Sequence, residues 1–152
     1  MKEIKEKMKK IASDLDNSLC LFPDYPKNLR RRFLKGKEWA LKLKLYRKYR
    51  KEAKPNILLI KKLKNKKFYI VTSRKKYWKK MTNTWLQKYN LTPMAVFFYN
   101  EKEKTREKII KYKANILKKL KIQVYYEDDI VIAEMLKKLC PDTKILPPPK
   151  EI

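Results

Sequence analysis

Residues 11–19 read IASDLDNSL, and the fold turns on how this stretch is read. Residues 10–15 (KIASDL) form a short apolar run that closes on Asp14, with Asp16 two positions further on. An apolar run ending in polar residues is the pattern of a covered strand passing into its loop. Two carboxylates at this spacing face a common ligand if the chain turns directly after them. Asn17 and Ser18 supply that turn, since Asn tolerates the left-handed conformation better than most residues. The plainer alternative is an ordinary polar strand-to-loop transition.

Working outward, three more runs have strand character: KFYIVT (67–72), MAVFFY (94–99) and IQVYY (122–126). Between them lie patterns of helical period. Residues 56–65 place Ile57, Ile60 and Leu63 on one face, and 75–89 place Trp78, Met81, Trp85 and Tyr89. Residues 104–119 offer Ile109, Tyr112, Ile116 and, just beyond, Leu120; residues 129–139 offer Ile132, Met135, Leu136 and Leu139. Strand and helix alternate, which predicts an α/β domain with right-handed crossovers and a parallel sheet. The chain of 152 residues is expected to form one such domain, 1–152. In sheets of this kind ligands sit beyond the carboxyl ends of the strands.

The alternation is interrupted at 20–54. From Lys27 to Lys54 the chain carries thirteen Lys or Arg against Glu38 and Glu52, interleaved with Phe33, Trp39, Tyr46 and Tyr49. WALKLKLY (39–46) fits period two or a helical face, and the helix is preferred. Trp39 is expected to pack this insert onto the core. The tail LPPPKEI (146–152) cannot continue a helix and is expected to lie extended on the surface.

Composition narrows the chemistry. There is no histidine, which excludes Ser-His-Asp triads, imidazole bases and His-ligated zinc or haem. Cys20 and Cys140 fit no metal-ligand spacing and are expected to be free thiols. Catalysis must then run on carboxylates, lysines and hydroxyls. Lys and Arg total 42 against 16 acids, a formal charge of +26. Thermophilic surfaces raise Glu alongside Lys; here the acids have not kept pace, which points to a polyanionic partner. No run reaches the length of about 18–20 apolar residues that a membrane span needs, and MKEIKEKMKK lacks a secretory apolar core, so no membrane association and a cytoplasmic location are expected.

At the predicted strand ends stand further polar groups. VTSR (71–74) brings Thr72 and Ser73, whose hydroxyls can donate to a phosphoryl oxygen, although such residues also open helices as caps. EDD (127–129) places Glu127, Asp128 and Asp129 directly after a strand. Three successive acids there call for a cation or open solvent, and hard oxygen donors suit Mg²⁺.

Taken in order, these segments resemble the motifs of the haloacid-dehalogenase-like (HAD) superfamily, in its phosphatase branch. IASDLDNSL resembles the first motif, with Asn17 where Gly is usual and Ser18 where Thr or Val is usual. YIVTSR resembles the second, and its Thr-Ser-Arg ending is similar to nucleotidases and polynucleotide phosphatases. YYEDD resembles the fourth, and Lys113 is the best match to the third-motif lysine, with Lys104 as runner-up. The resemblance spans roughly residues 10–20 and 56–140. It implies a Rossmann-like parallel sheet flanked by helices, with 20–54 as a small basic cap after the first strand.

The resemblance also implies roles. Asp14 would be the nucleophile and Asp16 the proton-transfer partner. Mg²⁺ would be held by Asp14, the Asp16 carbonyl and Asp128, with Glu127 and Asp129 in the same acidic run. Thr72 and Lys113 would fix phosphoryl oxygens. Ser73, Arg74 and the Arg30, Arg31, Arg32 triplet would contact substrate. Asp14 and Asp16 are not expected to be core packing. The expected activity is phosphomonoester hydrolysis on a nucleotide or a nucleic-acid terminal phosphate. The alternatives are a phosphatase for a small metabolite or phosphoprotein, and a non-catalytic nucleic-acid-binding protein on the same fold.

Overall fold

In a computed structural model of the protein, residues 9–22 and 37–150 are described. Five strands build one sheet: β1 (Ile11–Ser13), β4 (Phe68–Lys75), β5 (Ala95–Tyr99), β6 (Val124–Tyr126) and β7 (Lys144–Leu146). Their order is β5-β4-β1-β6-β7, and every pairing is parallel. From β1 the chain runs outward through β4 to β5, then returns to β6 and β7 on the other side. The direction of winding therefore switches beside β1, and the carboxyl end of β1 opens on the crevice where such folds hold ligands.

Both faces of the sheet are covered, which is why its strands read as continuous apolar runs. Successive side chains point to opposite faces. On one face Ile11, Ile70 and Tyr126 pack with Leu59 and Leu63 of α2 (Ile57–Leu63) and Trp85 and Leu86 of α3 (Lys79–Lys88). On the other, Ala12, Val71 and Tyr125 meet Leu117 of α4 (Arg106–Lys119) and Leu136 of α5 (Ile130–Leu139). Each fully buried Leu contributes about 1.5–3 kcal/mol of transfer free energy. Helix starts follow side-chain chemistry: Asn56, Thr105 and Asp129 accept from the backbone N–H of Leu59, Lys108 and Ile132 at 3.2, 3.2 and 3.1 Å. Helices commonly end on a left-handed residue, and in a chain with one glycine Asn65, Asn90 and Lys121 take that role at φ 63°, 56° and 55°.

The insert after β1 is gathered at its base. β2 (Cys20–Leu21) pairs antiparallel with β3 (Lys54–Pro55), and between them α1 (Lys37–Lys51) resolves the ambiguity of residues 39–46 as a helix. Among the described residues no helix is long and apolar enough to cross a membrane, and Cys20 and Cys140 are free and buried.

Three expectations are corrected. The core face of α4 is Ile110, Lys113, Ala114 and Leu117, not Ile109, Tyr112, Ile116 and Leu120, which are half-buried. The two stripes are one residue, or about 100°, apart, and counting apolar residues favours the wrong one because a lysine interrupts the right one. Ile57, Met135 and Leu139 are exposed, the apolar stripes of α2 and α5 being narrower than their sequences suggest. The start of the tail is not a surface extension: Leu146 ends β7 on the sheet edge and Pro148 is buried.

Candidate active site

The site forms where β1 ends. The N–H of Asp14 donates to the Tyr126 carbonyl at 2.9 Å, so the first carboxylate is the last residue held by the sheet. The chain then turns tightly: Leu19 and Cys20 N–H donate to the Leu15 carbonyl at 3.0 and 2.8 Å, and Asn17 is left-handed at φ 62°, as its residue type predicts. Asn56 locks this turn from outside. Its Nδ2 donates to the carbonyls of Ser18 and Pro149, both at 3.0 Å, while its own N–H donates to Leu19 O at 2.8 Å. Asn56 was not singled out by sequence; a helix cap is all its position advertises.

Carboxylate oxygens of Asp14, Glu127 and Asp128 lie within 4.8 Å of one another. Into this group reaches Lys113, 1% exposed, with Nζ 3.2 Å from Asp14 Oδ1 and 2.6 Å from Glu127 Oε1. The one-residue rotation of α4 aims it there. Lys104 sits instead in the exposed loop before α4. Glu127 is tied further by the Tyr125 hydroxyl at 3.1 Å and the Asp129 N–H at 3.2 Å. Burial, and then the neighbouring Glu127 charge, push the Asp14 carboxyl well above its ordinary range, Lys113 offsetting only part of this. Burial likewise raises Asp128. For Glu127 burial is outweighed by Lys113, and its carboxyl is lowered. The Lys113 ammonium is desolvated but raised by Asp14 and Glu127.

Two acids disfavoured as anions beside a third is an arrangement that a cation relieves. Three carboxylates with a single lysine form a hard-oxygen donor set that fits Mg²⁺. Asp129 is not in this group; its side chain caps α5 and pairs with Arg106 at 3.6 Å.

Asp16 points the other way. Arg74, 1% exposed, donates from Nε to both carboxylate oxygens and from Nη2 to Oδ1, and from Nη1 to Thr82 Oγ1. Thr82 in turn donates to the Trp78 carbonyl at 2.8 Å. Arg50 of α1 adds a second guanidinium, Nη2 3.9 Å from Asp16 Oδ2, while lying 4.6 Å over the Trp78 ring. Burial would raise the Asp16 carboxyl, but Arg74 and Arg50 overcome it and bring it to about 2.

Arg74, expected at the substrate, is thus engaged with the protein itself. Thr72 is fully buried on β4, its Oγ1 accepting from the Arg74 N–H at 3.0 Å, and Ser73 beside it is half-buried. β4 runs three residues past the expected end at Thr72, with a register shift against β5 between Val71 and Lys75. Arg30, Arg31 and Arg32 lie outside the described residues. Asp14 is buried at 6% exposure, yet it belongs to neither hydrophobic cluster of the core. Arg50, Thr82 and Trp78 are further site neighbours that the sequence did not single out; each reads as an ordinary member of a basic or aromatic helix.

No protein-family model and no curated protein matches this sequence. Solved structures do. A chain of the Pnkp1/Rnl/Hen1 RNA repair complex is 14% identical with a TM-score of 0.61, over 91% of this chain and 42% of that one. A second structure of the Pnkp1/Rnl/Hen1 complex gives 12% and 0.62, over 91% and 45%. A HAD-superfamily hydrolase of subfamily IA, variant 1, from Geobacter sulfurreducens PCA gives 10% and 0.54, over 93% and 87%. The protein has a HAD-like α/β fold. It spans less than half the length of the two repair-complex chains it matches.

Proposed function

We propose that this chain is a Mg²⁺-dependent phosphomonoesterase in which Asp14 is the nucleophile, acting on a phosphate carried by a nucleotide or a nucleic-acid end. The observation that carries this reading is the convergence of Asp14, Asp128, Glu127 and Lys113 at the switch point of the sheet.

An Asp14 carboxylate oxygen attacks phosphorus, the P–O bond to the leaving group breaks, and Asp16 supplies the proton the departing oxygen needs. Water then attacks the aspartyl-phosphate, Asp16 takes a proton from it, and phosphate leaves with Asp14 regenerated. Asp14, Asp128 and the Asp16 carbonyl would hold Mg²⁺, which would supply neutralisation of the charge between nucleophile and phosphate. Lys113, 3.2 Å from Asp14 Oδ1, orients that carboxylate, and with the Thr72 hydroxyl it would meet phosphoryl oxygens. The Arg74 pair keeps Asp16 an anion, suited to the second step; in the first, Asp16 must loosen from Arg74 to carry a proton. A formal charge of +26 supports a polyanionic substrate, as does the likeness to chains from RNA repair complexes.

Hydrolysis of an aryl phosphate with and without chelator, for the parent and for Asp14→Asn, tests the reading. Turnover that needs divalent cation and is lost in Asp14→Asn is expected. Full activity in either the variant or the chelated enzyme would overturn it.

A further inference from the structure

Two cavities, of about 710 and 510 Å³, adjoin one another across Tyr77 and Trp78. Each falls within the roughly 300–1,000 Å³ typical of ligand sites. The larger borders the site described above, because Arg50, which reaches Asp16, forms part of its wall. Lys75, Lys102 and Lys104 line it as well. The smaller lies between α1 and α3, lined by Arg47 and Lys51 from one helix and Lys80 and Lys88 from the other. Among the described residues Glu103 is the single acid in either wall, and Lys108 pairs with it at 3.2 Å.

The rings between the cavities are of two kinds. Trp78 is buried under Arg50, whose guanidinium lies 4.6 Å from its centroid and 5.3 Å from that of Tyr46. Tyr77 is 66% exposed, its centroid 5.3 Å from that of Trp78, on the ridge common to both cavities. The Tyr77 ring rests against Trp78 on one side and leaves most of its surface in solvent between two basic hollows. Cationic walls tracking a backbone, with an exposed ring for a base, are the chemistry that holds single strands irrespective of sequence.

We propose that this surface is a track for single-stranded polynucleotide. The terminal nucleotide lies in the cavity beside Asp16, the next base crosses Tyr77, and the following phosphates meet the lysines and arginines of α1 and α3. The track rests on the phosphatase reading only for which end of the strand is anchored. An acidic peptide could satisfy the charges but gives Tyr77 nothing to stack on.

Fluorescence anisotropy of the full chain tests it, with labelled oligonucleotides lacking a terminal phosphate: a dinucleotide, an octamer, and the octamer as duplex. Polyglutamate serves as competitor. The single-stranded octamer is expected to bind at least about ten-fold more tightly than the dinucleotide or the duplex. Tyr77→Ala should weaken it by about ten-fold, in line with the loss of one stacked base. Lys80→Ser with Lys88→Ser should lower the log–log salt slope by about 0.7 for each phosphate contact removed. All three positions are exposed, so folding is retained, and turnover of an aryl phosphate should not change.

Equal affinity for dinucleotide and octamer, an indifferent Tyr77→Ala, or polyglutamate displacing the strand as well as unlabelled octamer does would each overturn the track. Metal-dependent aryl phosphate hydrolysis without length-dependent binding leaves the phosphatase reading intact. Length-dependent binding without hydrolysis does the reverse.

Discussion

Arg74 grips both carboxylate oxygens of Asp16, with Nη2 2.6 Å from Oδ1 and Nε 3.1 and 3.0 Å from Oδ1 and Oδ2. Such a bidentate pair, with the arginine buried and the aspartate half-buried, is among the stronger charge-assisted contacts in proteins. It also makes the second acid of the DLD sequence a structural element as well as a candidate catalyst, with consequences for any variant at this position.

Asp16→Asn is expected to act on two measurements. Turnover of an alkyl phosphoester should fall by orders of magnitude, and that of an aryl phosphate, whose leaving group needs less protonation, by less. The melting temperature should also drop, because Arg74 is left buried without its counter-charge, at a cost of about 3–5 kcal/mol. A loss of activity equal on both substrates would speak against a proton-transfer role.

The same pair predicts an acid limb in stability. The folded Asp16 carboxyl lies at about 2, below its ordinary value of 3.8. Its contribution is therefore fully present above about pH 4 and lost as pH falls towards 2, to the extent of about 2 kcal/mol. Denaturant unfolding at pH 5 and at pH 2.5 checks this. Arg74→Met should flatten the difference.

Asp14 behaves oppositely. Its carboxyl is raised by burial and by Glu127, so the anion is a liability to the fold at neutral pH. Asp14→Asn is expected to abolish hydrolysis while raising the melting temperature in cation-free buffer. The gain should vanish at acid pH, where the parent carboxyl is itself protonated.

Mg²⁺ should stabilise the parent through the same group. A ligand at about a hundred times its dissociation constant contributes about 2.7 kcal/mol. Calorimetric scans with Mg²⁺ and with chelator are expected to differ for the parent and to coincide for Asp128→Asn. A shift that persists in Asp128→Asn would place the cation elsewhere.

Lys113→Met leaves Asp14 and Glu127 facing each other without a cation between them. Removing one partner of a buried pair costs about 3–5 kcal/mol. Glu127→Gln in the same chain should recover part of it, with a coupling of about 0.5–3 kcal/mol in the double-mutant cycle. Strict additivity would mean that the contact carries no energy.

Much of this was legible in the sequence because it depends on local patterns. Apolar runs closing on acids gave β1 and β6, and Asn17 announced its own backbone conformation. The groups that required three-dimensional placement were not legible. Lys113 was selected by its resemblance to a motif, while periodicity assigned the core face of α4 to the neighbouring stripe. Arg74 was expected to face substrate, because a strand end does not reveal that β4 continues and that Thr82 and Asp16 close around the guanidinium. Asn56 looks like a cap in one dimension; that it also joins Ser18 to Pro149 depends on contacts between residues 38 and 93 positions apart. The strand at Lys144–Leu146 was hidden by the prolines that follow it.

The buried group of three carboxyls and one ammonium is a patch of reversed sign within a chain of charge +26. At long range the protein gathers anions and repels Mg²⁺; only within a few ångströms of Asp14 does the balance invert. Added salt screens both fields. It should therefore speed the arrival of the cation while slowing that of a polyanion. The two halves of the loaded site are expected to assemble with opposite ionic-strength dependence, and hydrolysis of an oligonucleotide at limiting Mg²⁺ to pass through a maximum at intermediate salt.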